Sequence, residues 1–230
     1  MHLAFDGGSC HQGKYDYAEE LVRIAAEAGA DSIKFQLFGE EYAKNGNVIF
    51  PLDWVGPLIT HGEKMGIPVA FSVFDQKRLE YVLQFKTPYI KFAHSQRHKV
   101  DTLQGLLNRG IKVVVSASAS DSYLLPDHPG LTKLICWPEY PKMEIVSWEG
   151  LFPHLFDGLS DHFIGYGQAV EAVKGGAEWV EKHLKLNYAD VKCPDGVLPH
   201  SLNELEACQY ITELRRVKHW MGDVVEVGDL

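Results

Sequence analysis

Residues 159–186 read LSDHFIGYGQAVEAVKGGAEWVEKHLKL. Two short apolar runs, each ending at a histidine, flank one helix-length segment. A strand, a helix and a second strand in that order make a parallel βαβ unit, whose two strands can lie side by side. His162 and His183, at equivalent places in the two runs, then become neighbours.

Outward from this unit the same period recurs. Apolar, β-rich runs occupy 2–6, 31–38, 67–73, 89–93, 112–116, 132–137, 158–160 and 178–184. Helix-length segments lie at 17–28, 52–65, 76–85, 100–108, 169–174 and 203–220. In the first of these Ala18, Leu21, Val22, Ile24 and Ala25 share one face, and Gly29 supplies a C-terminal stop. Eight strands alternating with helices, with no linker or change of composition, predict an α/β fold. The expected architecture is a closed (β/α)8 TIM barrel, a single domain over 1–220 with a tail at 221–230, rather than an open doubly wound sheet. Its weakest units are the fifth helix, where 118–126 is short and turn-rich, and the seventh strand. The second connection, 39–50, is long and polar enough to serve as a lid over the barrel mouth.

A length of 230 residues suits one barrel of roughly 200 to 250 residues, and 46% hydrophobic content can fill its core. The net charge of -9 argues against nucleic acid or an anionic membrane as partner, since both need clustered Lys and Arg. A small anionic substrate is still compatible, because one or two local lysines can bind it. Cys10, Cys136, Cys193 and Cys208 show neither CxxC pairing nor the density of a disulfide scaffold, so reduced thiols in a cytoplasmic protein are expected. No run of roughly 18 apolar residues occurs, and the opening MHLAFDGGSCHQG lacks a basic region followed by a long apolar one.

A parallel barrel carries its chemistry at the C-terminal ends of its strands. In strand order those ends offer Asp6; Lys34 and Gln36; Ser72; Lys91 and His94; Ser116 and Ser118; Glu139 and Tyr140; Asp161 and His162; Lys182 and His183. Lys34 and Lys91 sit within SIKFQLF and YIKFAH, where an unpaired ammonium is costly to bury. Either each pairs with a neighbouring carboxylate or points out between the helices, or the two join Ser72 and Ser116 in a ring of donors for a phosphate or carboxylate. His162 and His183 fall within reach of one ion, and imidazole suits Mn, Fe, Co or Zn better than Mg. Water and substrate oxygens would complete such a Lewis-acid site. Asp161 and Glu181 are candidate third ligands, partners that hold the rings, or ordinary rim charges. His61, His128, His154 and His219 are assigned to core or surface.

HQG, AGADSIKFQLF, IKFAHS, EYP, SDH, GGAEWVEKHLKL and CPDGVLPHSLNE, in this order, resemble the sialic acid synthase family over nearly the whole chain. The resemblance implies condensation of phosphoenolpyruvate with a sugar aldehyde, N-acetylmannosamine or a related aldose. The product is a sialic or other nonulosonic, 2-keto-3-deoxy acid plus phosphate. It implies catalytic roles for Asp6, Lys34, Lys91, His162 and His183, with His162 and His183 holding a divalent ion, manganese first, with magnesium, cobalt or iron as alternatives. Ser72, Ser116 and His94 fall on phosphoenolpyruvate positions, and Gln36, Tyr140 and Asp195 on sugar contacts. A homodimer is also implied.

The sequence departs from the family's pattern in several places. Asp6 replaces Glu, HSQ stands where an SGE-like run is usual, SAS replaces STG, and Pro138 replaces a small polar residue. The family's short N-terminal extension and C-terminal antifreeze-like domain have no counterpart in the 230 residues. Two other readings compete: a degenerate, non-catalytic sugar-binding barrel, and a Schiff-base aldolase using Lys91 or Lys133.

Overall fold

The computed structural model describes residues 1–43, 47–187 and 199–222. Its eight strands are β1 (His2–Gly8), β2 (Ser32–Leu37), β3 (Val69–Val73), β4 (Ile90–Phe92), β5 (Val113–Ala117), β6 (Leu131–Cys136), β7 (Gly158–Asp161) and β8 (Trp179–His183). Each pairs in parallel with its successor, and β8 pairs with β1, so the sheet closes into the expected barrel. The helices are α1 (Tyr15–Glu27), a single turn α2 (Glu40–Ala43), α3 (Val55–Met65), α4 (Gln76–Val82), α5 (Val100–Asn108), α6 (Gly167–Lys174) and α7 (Glu204–Gly222).

The elements coincide with the sequence periodicity apart from a few residues at their ends. The face of α1 that is buried is Ala18, Leu21, Val22, Ile24 and Ala25. The segment 52–65 opens as a 3-10 turn, Leu52–Trp54, before α3 begins. In place of a fifth crossover helix there is a 3-10 stretch, Ala119–Leu124, and 137–157 connects β6 to β7 without a helix. The seventh strand is regular and paired on both sides. Only glycine fits its first position, because a Cβ on Gly158 would stand 1.9 Å from the Trp179 carbonyl oxygen. The proposed boundary at residue 221 falls inside the last turn of α7.

Strand alternation sorts the core into two parts. Outward side chains such as Phe35, Phe71, Phe92 and Leu159 meet Leu21, Leu58, Leu103 and Leu214 of the helices in one large cluster. Each such buried side chain contributes about 2 kcal/mol. Inward, Ala70, Tyr89, Val114 and Leu134, with Trp179 against them, plug the lower end of the barrel. Two residues further along the same strands stand Ser72, Lys91, Ser116, Cys136 and Glu181, all buried. A period of two therefore places a polar layer directly above an apolar plug.

The connection over 39–50 is tied down at its return. Phe50 N donates to Phe38 O at 3.1 Å, and the Phe50 ring packs against Phe35, Phe71, His11 and Trp54. Cys10 is buried, Cys136 and Cys208 are free thiols, and Cys193 lies outside the described residues. No helix among the described residues is long and apolar enough to cross a membrane.

Candidate active site

Asp6 is followed by two glycines, and the register between β1 and β2 shifts there. A Cβ on Gly7 would stand 2.7 Å from the Phe35 ring. This bulge folds the Gly8 amide back onto Asp6 Oδ1 at 2.8 Å. Asp6 Oδ2 accepts from Lys34 Nζ and, at 2.9 Å, from Gln36 Nε2. Lys34 Nζ also lies 3.7 Å from Glu181 Oε1. Across the barrel Lys91 Nζ donates to Ser116 Oγ at 2.7 Å and to Glu181 Oε1 at 3.0 Å, and Ser160 Oγ donates to the same oxygen at 3.1 Å.

Both lysines thus point into the barrel rather than out between the helices, and both meet carboxylates. Two ammonium groups facing two carboxylates repay much of the desolvation that either would suffer alone. Burial alone would raise the Asp6 pKa, but the Lys34 ammonium, with His183 behind it, holds it well below the usual carboxylate range. Burial pulls Lys91 below the usual lysine value against the opposing pull of Glu181. Among the described residues, two buried atoms in this layer lack hydrogen-bond partners, Ser72 Oγ and Glu181 Oε2. Ser72 is in register with Gln36 on one side and Lys91 on the other. Buried polar atoms left open beside charged groups mark a place for ligand atoms.

The histidine end lies at the tops of β7 and β8. His162 Nδ1 donates to the Trp137 carbonyl at 2.7 Å, which fixes the tautomer and leaves the Nε2 lone pair for a ligand. His183 Nε2 is 3.7 Å from Asp6 Oδ2, and the two imidazole centres are 5.6 Å apart. Tyr140 lies over His162 with ring centres 4.0 Å apart. Burial, then the neighbouring His183, pushes the His162 pKa well below the ordinary histidine value, so the ring is neutral, the form that binds metal. Buried His183 Nδ1 has no hydrogen-bond partner among the described residues. An anchored imidazole beside one with an open nitrogen suits a divalent ion. Among the described residues no three His, Cys, Asp or Glu donors are already drawn together as a metal cage.

A third imidazole, which the sequence reading missed, stands beside this pair. His200 is buried, with ring centres 5.0 Å from His183 and 5.9 Å from His162. Its place follows from the chain leaving β8. Leu202 N donates to His183 O at 2.9 Å and Lys185 N to Leu202 O at 2.8 Å, a short parallel bridge that lays 200–202 along the end of β8. Asn203 and Glu206 then cap each other's backbone amides at 3.0 and 2.8 Å and start α7. The available signal was PHSLNELE, a histidine just ahead of an apolar anchor and a capping box.

Asp161 requires a correction. Alternation in SDH turns Ser160 and His162 inward and Asp161 outward, where it accepts from Lys182 Nζ at 3.0 Å, Tyr210 OH at 2.7 Å and Phe163 N at 2.8 Å. It is neither a metal ligand nor a partner of the imidazoles. Glu181 faces inward, toward the lysines rather than the histidines. Glu139 pairs with Lys142 at the surface, and Ser118 bonds Asp121. His94 opens a 3-10 turn after β4, with a buried Nε2 that lacks a partner among the described residues and a pKa lowered by burial and then Arg97. Asp195 lies outside the described residues.

Residues 138–226 match the model of the NeuB family. The chain is 25% identical over 217 residues to N-acetylneuraminate-9-phosphate synthase of Homo sapiens, covering 78% of this chain and 60% of that one. It is 24% identical over 264 residues to N,N'-diacetyllegionaminic acid synthase of Campylobacter jejuni, covering 96% and 77%. The barrel superposes on the crystal structure of N-acetylneuraminic acid synthetase from Leptospira borgpetersenii with a TM-score of 0.83. That match has 24% identity and covers 99% of this chain and 87% of the other. The chain spans about 60% of the length of the first curated relatives it matches.

Proposed function

We propose that this protein condenses phosphoenolpyruvate with an aldose in a metal-dependent reaction, giving a nonulosonic acid and phosphate. The sugar is N-acetylmannosamine or a close relative. The observation that carries the reading is the buried layer of Lys34, Lys91, Asp6 and Glu181, with the open Ser72 hydroxyl, directly beside the His162 and His183 pair. The names of the relatives, a neuraminate phosphate synthase and a legionaminic acid synthase, support the same reaction class.

Lys34 and Lys91, with Ser72 and Ser116, receive the phosphate and carboxylate of phosphoenolpyruvate. The incoming anion competes with Asp6 and Glu181 for the two ammonium groups, so these carboxylates are displaced onto new partners. Asp6, backed by the Gly8 amide and Gln36, then accepts from the sugar's hydroxyls and orients its aldehyde. A divalent ion held by His162 and His183, manganese first, would supply Lewis-acid polarisation of the aldehyde oxygen. The lysines neutralise the substrate's charge while the enol methylene carbon attacks the aldehyde carbon. Lys91 and Ser116 stay with the phosphate as water adds to the carbon that bears it and phosphate departs.

Incubating the protein with phosphoenolpyruvate, Mn2+ and a panel of aldoses tests this. Phosphate release that depends on the sugar and stops with EDTA is the expected result. No release with any aldose overturns it. A Schiff-base aldolase through Lys91 is the second reading, favoured by the lowered pKa of that amine. Borohydride trapping of a substrate adduct in EDTA would establish the aldolase in place of the synthase.

A further inference from the structure

We infer that His200 reads the sugar: its imidazole N–H donates to the carbonyl oxygen of an N-acylated amino group on the carbon next to the aldehyde, which makes His200 a specificity-determining residue. This rests on the condensation proposed above and names the part of the aldose that the site recognises. His200 is 0% exposed, yet neither of its ring nitrogens has a hydrogen-bond partner among the described residues. A neutral or protonated imidazole carries at least one N–H, and a buried N–H without an acceptor has a desolvation cost that a ligand oxygen removes. The residue is placed by its backbone, through the Leu202 bridge to β8, rather than by a hydrogen bond of the ring.

The neighbours indicate which group of the sugar this is. The ring centres of His183, Tyr140 and His162 lie 5.0, 5.3 and 5.9 Å from that of His200, with His183 edge-on at 85° and Tyr140 at 62°. Tyr140 is 45% exposed and is the wall of this corner nearest solvent. The proposed aldehyde oxygen stands at His162 and His183, so the substituent on the adjoining carbon is the first that can reach a ring packed against both. Aromatic walls beside an unpartnered nitrogen suit a group with a methyl at one end and an acceptor at the other, which an acetamido group is and a hydroxyl is not. The carboxylates that could otherwise answer the imidazole are engaged, Asp6 Oδ2 with Lys34 and Gln36, and Asp161 with Lys182 and Tyr210.

The test is calorimetric titration of N-acetylmannosaminitol and mannitol, open-chain analogues without the aldehyde, into the protein in excess Mn2+. The parent should bind the acylated analogue about tenfold or more tightly than mannitol, and His200→Ala should erase that preference while leaving mannitol affinity within about twofold. His200→Gln, which keeps a donor, should recover part of the preference. In turnover, His200→Ala should raise KM for N-acetylmannosamine and leave KM for phosphoenolpyruvate unchanged. An equal loss for both analogues in His200→Ala, or no loss for either, overturns the inference, as does a parent that binds neither. A parent that prefers the acylated analogue through His200 but releases no phosphate with any aldose overturns the synthase reading and keeps the His200 contact. If His200→Ala fails to fold, the nitrogen NMR signals of the parent's His200 ring, recorded in Mg2+, decide. They should move on addition of N-acetylmannosaminitol and not of mannitol, and unmoved signals overturn the inference.

Discussion

Strands β7 and β8 contribute to two buried ionic clusters, one on each side of the barrel wall. The outer cluster joins Asp161 to Lys182, Tyr210 and Phe163 N, with Lys182 also donating to Phe163 O. The inner cluster joins Asp6 and Glu181 to Lys34, Lys91, Gln36, Ser116 and Ser160. The two use the same residue types at similar burial but differ in completeness. Both carboxylate oxygens of Asp161 are occupied, whereas Glu181 Oε2 and Ser72 Oγ in the inner cluster are open. A finished ionic network fastens helix to sheet, and the proposed function puts a ligand against the unfinished one. A shift of one residue along SDH or EKH decides which a side chain joins.

Substitutions can separate the two roles. Asp161→Ala strands the Lys182 ammonium and should cost about 3 to 5 kcal/mol of stability, read from denaturant unfolding. Tyr210→Phe removes one hydrogen bond to a charged group and should cost about 1.5 to 3 kcal/mol, with kcat/KM unchanged. Ser72→Ala should show the opposite pattern. Loss of a buried hydroxyl that has no partner leaves stability within about 0.5 kcal/mol of the parent or slightly above it, while kcat/KM for phosphoenolpyruvate falls about tenfold. A Ser72→Ala protein that is clearly destabilised but fully active would reverse the assignment of the inner cluster.

The smallest effect should come from a titration outside both clusters. His11 is buried between Phe50 and Trp54, and burial lowers its pKa to about 4. The unfolded chain takes up that proton near pH 6.5, so between about 6.5 and 4 it binds more protons than the folded chain. The contribution of His11 is therefore full above pH 6.5 and declines as pH falls toward 4. Thermal midpoints of His11→Leu measured across this window should fall less steeply with acid than those of the parent.

Much of the barrel was legible because its signals are local. Period-two strands, the apolar face of α1 and the polar strand ends each lie within a few residues of sequence. The inner lysines could be recognised as costly, but Glu181, which answers Lys91, lies 90 residues away and becomes its partner only when the sheet closes. Asp161 stays open between ligand, ring partner and rim charge in the sequence, because its partners Lys182 and Tyr210 lie 21 and 49 residues away. His200 escaped notice because its place depends on Leu202 docking beside β8, a contact with no periodic signature. The missing fifth helix was anticipated from the short, turn-rich 118–126.

The claim that the inner cluster is a binding centre and the outer one a fastening is tested most directly by calorimetric titration of phosphoenolpyruvate, in excess Mn2+, into the parent, Lys34→Gln/Lys91→Gln and Asp161→Asn. Binding should persist in the parent and in folded Asp161→Asn, and vanish in the double lysine variant. Undiminished binding to the double lysine variant, or none to the parent, would contradict it.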